Sequence, residues 1–221
     1  MLLRYIIGGY DFVTIIKIVL YSIPALLIAL SFHECAHAFA AYKLGDPTAK
    51  NLGRLSIDPF KHLDLLGTLM MLLFGFGWAK PVPINPRNFK KYRRDDIIVS
   101  LAGIVANLLT AFIFMGLLAI IQKNFTNDNE VGVILYTIVY IIIIFNISIA
   151  IFNILPIPPL DGYHVLKNIF AKLGPNFFWN YERYGQIILL LIVFSSAAGN
   201  IISSLSSGIF NLFAGIFGVI A

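Results

Sequence analysis

One cysteine, Cys35, among 221 residues leaves no intrachain disulfide possible. Charge is scarce as well. Asp, Glu, Lys and Arg make up 12% of the chain, against about 25% in ordinary soluble domains, and only 11 residues are acidic. No long polar stretch offers room for an additional soluble domain. These shortages exclude a disulfide scaffold, a disordered chain and a soluble globule. What fills the sequence instead is apolar: 59% is hydrophobic and the mean hydropathy is +0.86. That excess cannot be hidden inside 24.6 kDa, because burial is limited by surface-to-volume scaling. The chain reads as an all-α polytopic membrane protein, one integral-membrane domain over residues 1–221.

Charge-free runs mark the spans. Residues 97–121 and 131–155 are 25 residues each, above the roughly 20 needed to cross hydrocarbon. Residues 185–221 run for 37 without a charge, too long for one crossing, and predict two spans, one of them short, joined near Gly199-Asn200. Residues 65–79 number 15 and contain Gly67, Gly75 and Gly77, which suits a partial or re-entrant segment. The first apolar run, 12–42, is 31 residues with Pro24 inside it. Arg4 and the small residues Ala29 and Ser31 resemble a signal peptide, but the apolar run continues past Ser31 and favours an uncleaved helix. The total is about five to six transmembrane helices with a short re-entrant or extended segment.

A formal charge of +5 and a pI near 9.3 raise the possibility of nucleic acid. The placement of the charges argues for lipid instead. Thirteen of the 16 basic residues fall in three regions, 43–61, 80–94 and 167–183, whereas the 122–130 loop holds only Lys123. The positive-inside rule puts all three regions on the cytoplasmic face of the cell membrane. The C-terminal end of the first helix and the end of the 131–155 span then approach the same face.

Near that end of the first helix lie His33, Glu34 and His37 in the pattern HExxH. On a helix, positions i and i+4 stack, so both imidazoles can address one ion. The intervening glutamate lies beside the metal, where it can take a proton from water. Ionisable groups in hydrocarbon are costly and mark function by default. A catalytic zinc needs a third protein ligand. Asp161 stands apart from the other carboxylates, directly after the 131–155 span in the run Asn153-Ile-Leu-Pro-Ile-Pro-Pro-Leu-Asp161-Gly162. Three prolines end the helix and stiffen an extended turn there. Asp161 is therefore either the cap of the next helix or the missing ligand, and beside HExxH the ligand is the better reading. His33 lies 10 residues before Lys43, roughly 15 Å of helix, which places the site below the membrane surface and requires a wet cavity.

Together these motifs resemble the site-2 protease family of intramembrane zinc metalloproteases, in the small prokaryotic branch without soluble domains. The likeness extends to Gly53-Arg54-Leu55, Asp58-Pro59, Lys61-His62, the run Gly77-Trp78-Ala79-Lys80-Pro81-Val82-Pro83, and Leu101-Ala102-Gly103 with Asn107. It covers about residues 25–170, and the C-terminal region matches only in being apolar. The resemblance implies that His33, His37 and Asp161 bind zinc and that Glu34 is the general base. It also implies cleavage of transmembrane protein substrates, often after another protease has trimmed the ectodomain. Two features depart from the pattern: Ile104 stands where proline is common, and His164, at i+3 from Asp161, can compete as a ligand or support the site from outside.

Asn107 and Asn153, in otherwise apolar spans, can position substrate or the developing oxyanion, or else bond between helices. His62 reads as a surface histidine in a polar loop. Residues 52–57 and 78–84 are not helix-like; they read either as extended edges that accept unwound substrate as an added strand, or as connecting loops. Two rival functions use the same residues. A metal transporter would need ligand sets at successive depths, and one is visible. A non-catalytic binder of transmembrane helices would have no need of Glu34. Substrate, trigger and oligomeric state are not encoded legibly.

Overall fold

The computed structural model describes residues 8–74, 77–125 and 129–219. Arg4 and Gly75, named above, lie outside them. Among the described residues eight α-helices follow in order: α1 (Phe12–Lys43), α2 (Thr48–Asn51), α3 (Leu65–Phe74), α4 (Tyr92–Asn124), α5 (Glu130–Asn153), α6 (Asp161–Ile169), α7 (Pro175–Phe194) and α8 (Ser196–Phe217). No strand occurs among the described residues. Four helices are long and apolar enough to cross a membrane: α1, α4, α5 and the 199–217 part of α8. The fold is that of an all-α, multi-span membrane protein. α3 and the charge-free 185–194 end of α7 are the further apolar elements behind the expectation of five to six crossings.

α1 starts at Asp11, whose carboxylate accepts the Thr14 N–H at 2.9 Å and satisfies one orphan donor. Ala25, Ala29, Ala38 and Ala41 on its inner face are fully buried. Such small side chains let helix backbones approach closely where lipid offers no hydrophobic drive. α1, α4 and α5 pack together as a three-helix core, and α8 closes on α4 and α5. There Ala111, Met115 and Leu118 meet Val139, Ile143, Ile147, Phe210 and Ala214. On the opposite face of α4, Leu109, Ile113 and Ile120 are exposed, at helical spacing and ready for lipid.

α3 has 10 residues, about 15 Å of helix, and cannot cross. The chain turns back beside it. A Cβ on Gly67 would lie 2.0 Å from the Trp78 carbonyl oxygen, and one on Gly77 would lie 2.0 Å from the Gly67 oxygen. Only glycine permits that approach, which makes this segment re-entrant.

The returning chain, residues 77–85, contains no helix, strand or turn. It is anchored at both ends. The Lys80 N–H donates to the His62 carbonyl at 2.8 Å, and Arg54 Nη2 donates to the Lys80 carbonyl at 2.6 Å. Farther along, the Asn85 N–H and the Asn88 side chain donate to the Asp46 carboxylate, each at 2.7 Å. We refer to 77–85 as the strap.

Three expectations need correction. His62 is fully buried, not on the surface, because its ring bonds the Ser56 carbonyl at 2.7 Å and its backbone holds the strap. Residues 52–57 form a turn, not an extended edge. Gly53, at φ +69°, ends α2, and the Gly53 and Arg54 N–H groups return to Lys50 and Ala49. The C-terminal break falls at Ser195, whose hydroxyl and N–H both donate to the Ile192 carbonyl, and Gly199-Asn200 lie inside α8.

Candidate active site

His33, Glu34 and His37 occupy the buried face of α1, one helical turn before the end of its small-residue contact with α4. Four residues apart, the two rings stand edge to face with centroids 4.5 Å apart and Nε2 atoms 3.0 Å apart. Asp161 reaches them from the far side of the bundle. Its Oδ2 lies 3.2 Å from His33 Nε2 and 3.4 Å from His37 Nε2. Asp161 is the first residue of α6; Leu160 is the N-cap position, and no side chain caps the helix. The carboxylate is therefore turned into the bundle, not spent on the helix end.

The tautomers follow from the partners. His37 Nδ1 lies 2.8 Å from the Val99 carbonyl, which can only accept, so that nitrogen carries the proton. His33 Nδ1 lies 2.6 Å from Asn107 Oδ1. Each neutral imidazole then presents a bare Nε2 to the other and to Asp161 Oδ2, a buried oxygen with no hydrogen-bond donor. Three electron-rich atoms at 3.0–3.4 Å repel one another unless a cation, either a proton on one Nε2 or a metal ion, sits between them. The spacing matches the roughly 3.3 Å edge of a tetrahedron with bonds of about 2.0–2.1 Å. The residues fit a metal ion, and this is the one such cluster found among the described residues.

Room for the rings comes from α4. A Cβ on Gly103 would fall 2.5 Å from His37 Nε2 and 2.6 Å from His33 Cε1. The glycine of the Leu-Ala-Gly run is therefore a spacing requirement of the site. Glu34 stands beside the triad and is 8% exposed, and its Oε2 accepts the Val82 N–H of the strap at 2.9 Å. That bond uses one carboxylate oxygen and leaves the other available. A cavity of about 590 Å³ opens over the group, bounded by His33, Glu34, His37 and Asp161 and by Trp78 and Val82 of the strap.

The remaining candidates separate. Asn153 lines the cavity, with its Nδ2 donating to the Ile149 carbonyl at 3.0 Å. Asn107 does not line it. Fully buried, it gives Oδ1 to His33 and Nδ2 to the Ala29 carbonyl and Asn146 Oδ1. Its amide is spent on neighbouring groups, with Oδ1 behind the His33 imidazole. His164 also lines the cavity, but its Nδ1 turns to Asp96 Oδ2 at 3.7 Å, away from the triad. The sequence reading passed over Asn146, although an amide in the middle of the apolar run 131–155, seven residues before Asn153, was the signal for it.

The fold and the buried triad define a membrane-embedded metal site. Comparison with known proteins agrees: the model of peptidase family M50 matches residues 21–196, and the chain belongs to that family. It is 37% identical over 204 residues to "Putative zinc metalloprotease YwhC" of Bacillus subtilis, covering 89% of this chain and 92% of that protein. "Putative zinc metalloprotease Rip2" of Mycolicibacterium smegmatis is 27% identical over 180 residues, covering 79% of this chain and 67% of that protein. The Rip2 protein of Mycobacterium tuberculosis is 32% identical over 151 residues, covering 66% and 55%. No solved structure matches the chain.

Proposed function

We propose that this protein is an intramembrane zinc metalloprotease, an endopeptidase that hydrolyses peptide bonds in or near the transmembrane segments of membrane-protein substrates. One observation carries the reading: two bare imidazole nitrogens and an undonated carboxylate oxygen converge inside a helical bundle, with a second carboxylate beside them. The names of the relatives point to zinc as the ion. His33, His37 and Asp161 would hold it. Zinc bound there would supply Lewis acidity, polarising a peptide carbonyl and lowering the pKa of water to about 7.

The chain's own groups do the rest. Glu34 takes a proton from water and delivers it to the leaving amine. The Val82 N–H holds one oxygen of the Glu34 carboxylate at the cavity wall and leaves the other free to take the proton. Asn153, on the cavity wall, is placed to hydrogen-bond substrate backbone or the developing oxyanion. A helical substrate hides its carbonyls in i to i−4 bonds and must unwind locally. Trp78, Ala79, Pro81, Val82 and Ile84 of the non-helical run 78–84 line the cavity, which supports docking of the unwound segment along the strap. The basic loops orient the site toward the cytoplasmic face of the cell membrane, and the reading fits regulated intramembrane proteolysis.

Glu34→Gln tests it. The variant keeps the fold and the bound zinc while cleavage of a transmembrane substrate, read by mass spectrometry, falls by about 10²–10⁴-fold. Cleavage at the wild-type rate would remove Glu34 from the chemistry.

A further inference from the structure

Two amides inside the bundle are fully buried, Asn107 in α4 and Asn146 in α5. At this depth a polar group without a partner is costly, so every bond they make carries weight. Those bonds also have a direction. Asn146 Nδ2 donates to the Ile142 carbonyl of its own helix at 2.8 Å, which turns Oδ1 toward α4. That oxygen accepts from Asn107 Nδ2 at 2.8 Å. Asn107 Nδ2 donates its other proton to the Ala29 carbonyl of α1 at 3.0 Å. Both amide protons of Asn107 are thereby committed, and only its Oδ1 is left to face His33 Nδ1, at 2.6 Å.

Backbone carbonyls cannot donate, so Ile142 and Ala29 decide which way each amide points. An Asn107 flipped the other way would present N–H groups to His33 and draw a lone pair to Nδ1, leaving the proton on Nε2, where the metal belongs. His37 needs no such arrangement, because the Val99 carbonyl sets its tautomer directly. We propose that Asn146 and Asn107 are positioning residues, an orientation relay from α5 through α4 that holds His33 with Nδ1 protonated and Nε2 open to the metal. The relay deepens the metalloprotease reading and rests on it.

The test uses the full-length protein purified in detergent, with zinc affinity measured by competition against a chromophoric chelator. Asn107→Ala lowers affinity about 10–100-fold, the range for lost outer partners of a ligating histidine, and Asn146→Ala lowers it about tenfold. The double variant binds no more weakly than Asn107→Ala alone, because the relay is already cut. ¹⁵N-histidine NMR of the metal-free wild type, which needs no variant to fold, shows His33 as the Nδ1–H tautomer. Variants that bind zinc within twofold of wild type, effects that multiply in the double variant, or an Nε2–H His33 would overturn the relay alone. A folded wild type that binds no zinc overturns the metal reading itself, and the relay with it.

Discussion

One stripe of α4 is buried along nearly its whole length, and its two halves are built differently. The first half presents Asp96, Ser100, Gly103 and Asn107; the second presents Ala111, Met115, Leu118 and Ile121. Spacing and helix are the same, yet the partners change near Thr110. In the first half the polar groups are tied: Asp96 accepts from Asn168, Ser100 donates to its own helix, and Asn107 holds His33. In the second half the side chains only pack, against α5 and α8. The comparison separates two tasks. Hydrogen bonds hold atoms in direction and suit a site; close-packed methyl groups hold helices together and suit a frame.

Substitutions in the two halves should therefore fail differently. Gly103→Ala puts a methyl group 2.5 Å from His37 Nε2, and the imidazoles or the helix must move by about an ångström. Activity should fall at least 100-fold, as such misplacement does elsewhere, with zinc content falling alongside it. A Gly103→Ala protein with wild-type zinc content would show that the triad tolerates movement. Met115→Ala, at a fully buried position of the apolar half, should cost about 2–5 kcal/mol of stability by large-to-small truncation. Unfolding in detergent measures that cost, while zinc affinity of the folded fraction stays unchanged.

A smaller effect should come from the strap anchor. Burial opposes ionisation of Asp46, but hydrogen bonds from Thr48, Asn85 and Asn88 outweigh it and hold the carboxyl below its ordinary range. The folded pKa is thus depressed relative to the unfolded value of about 3.9, so Asp46 stabilises in full above about pH 5. That contribution is lost as pH falls through 4 toward the depressed folded value. The melting-temperature gap between wild type and Asp46→Asn should accordingly narrow below about pH 4. Smallest of all is Gly116→Ala, also on α4, where the added methyl meets only the edge of the Phe217 ring, at 3.1 Å. Zinc content and cleavage should stay within twofold of wild type, against the collapse expected at Gly103.

Much of the membrane architecture was legible because it is written in local terms. Runs without charge located α4 and α5, and the glycines of 65–79 identified a segment that cannot cross. What went unread depended on partners far along the chain. His62 has the composition of a surface loop, but its ring is tied to the Ser56 carbonyl and its own carbonyl to Lys80 of the returning strap. Asn107 carries no mark that tells substrate contact from a bond to His33; the neighbouring helices decide that. His164 stands one turn from Asp161, yet its ring faces Asp96 because α4 offers a carboxylate there.

Helical periodicity by itself put His33, Glu34 and His37 on one face, because 3.6 residues per turn stacks positions four apart whatever surrounds them. The three prolines after α5 likewise stiffen the turn that leads to Asp161, a local effect of their fixed φ. The closing of the triad was a tertiary decision, since it required α1 and α6 to meet across the bundle. So was the state of each ring, because a neutral imidazole can carry its proton on either of two distinct nitrogens, and a fixed acceptor on a neighbouring helix chooses between them.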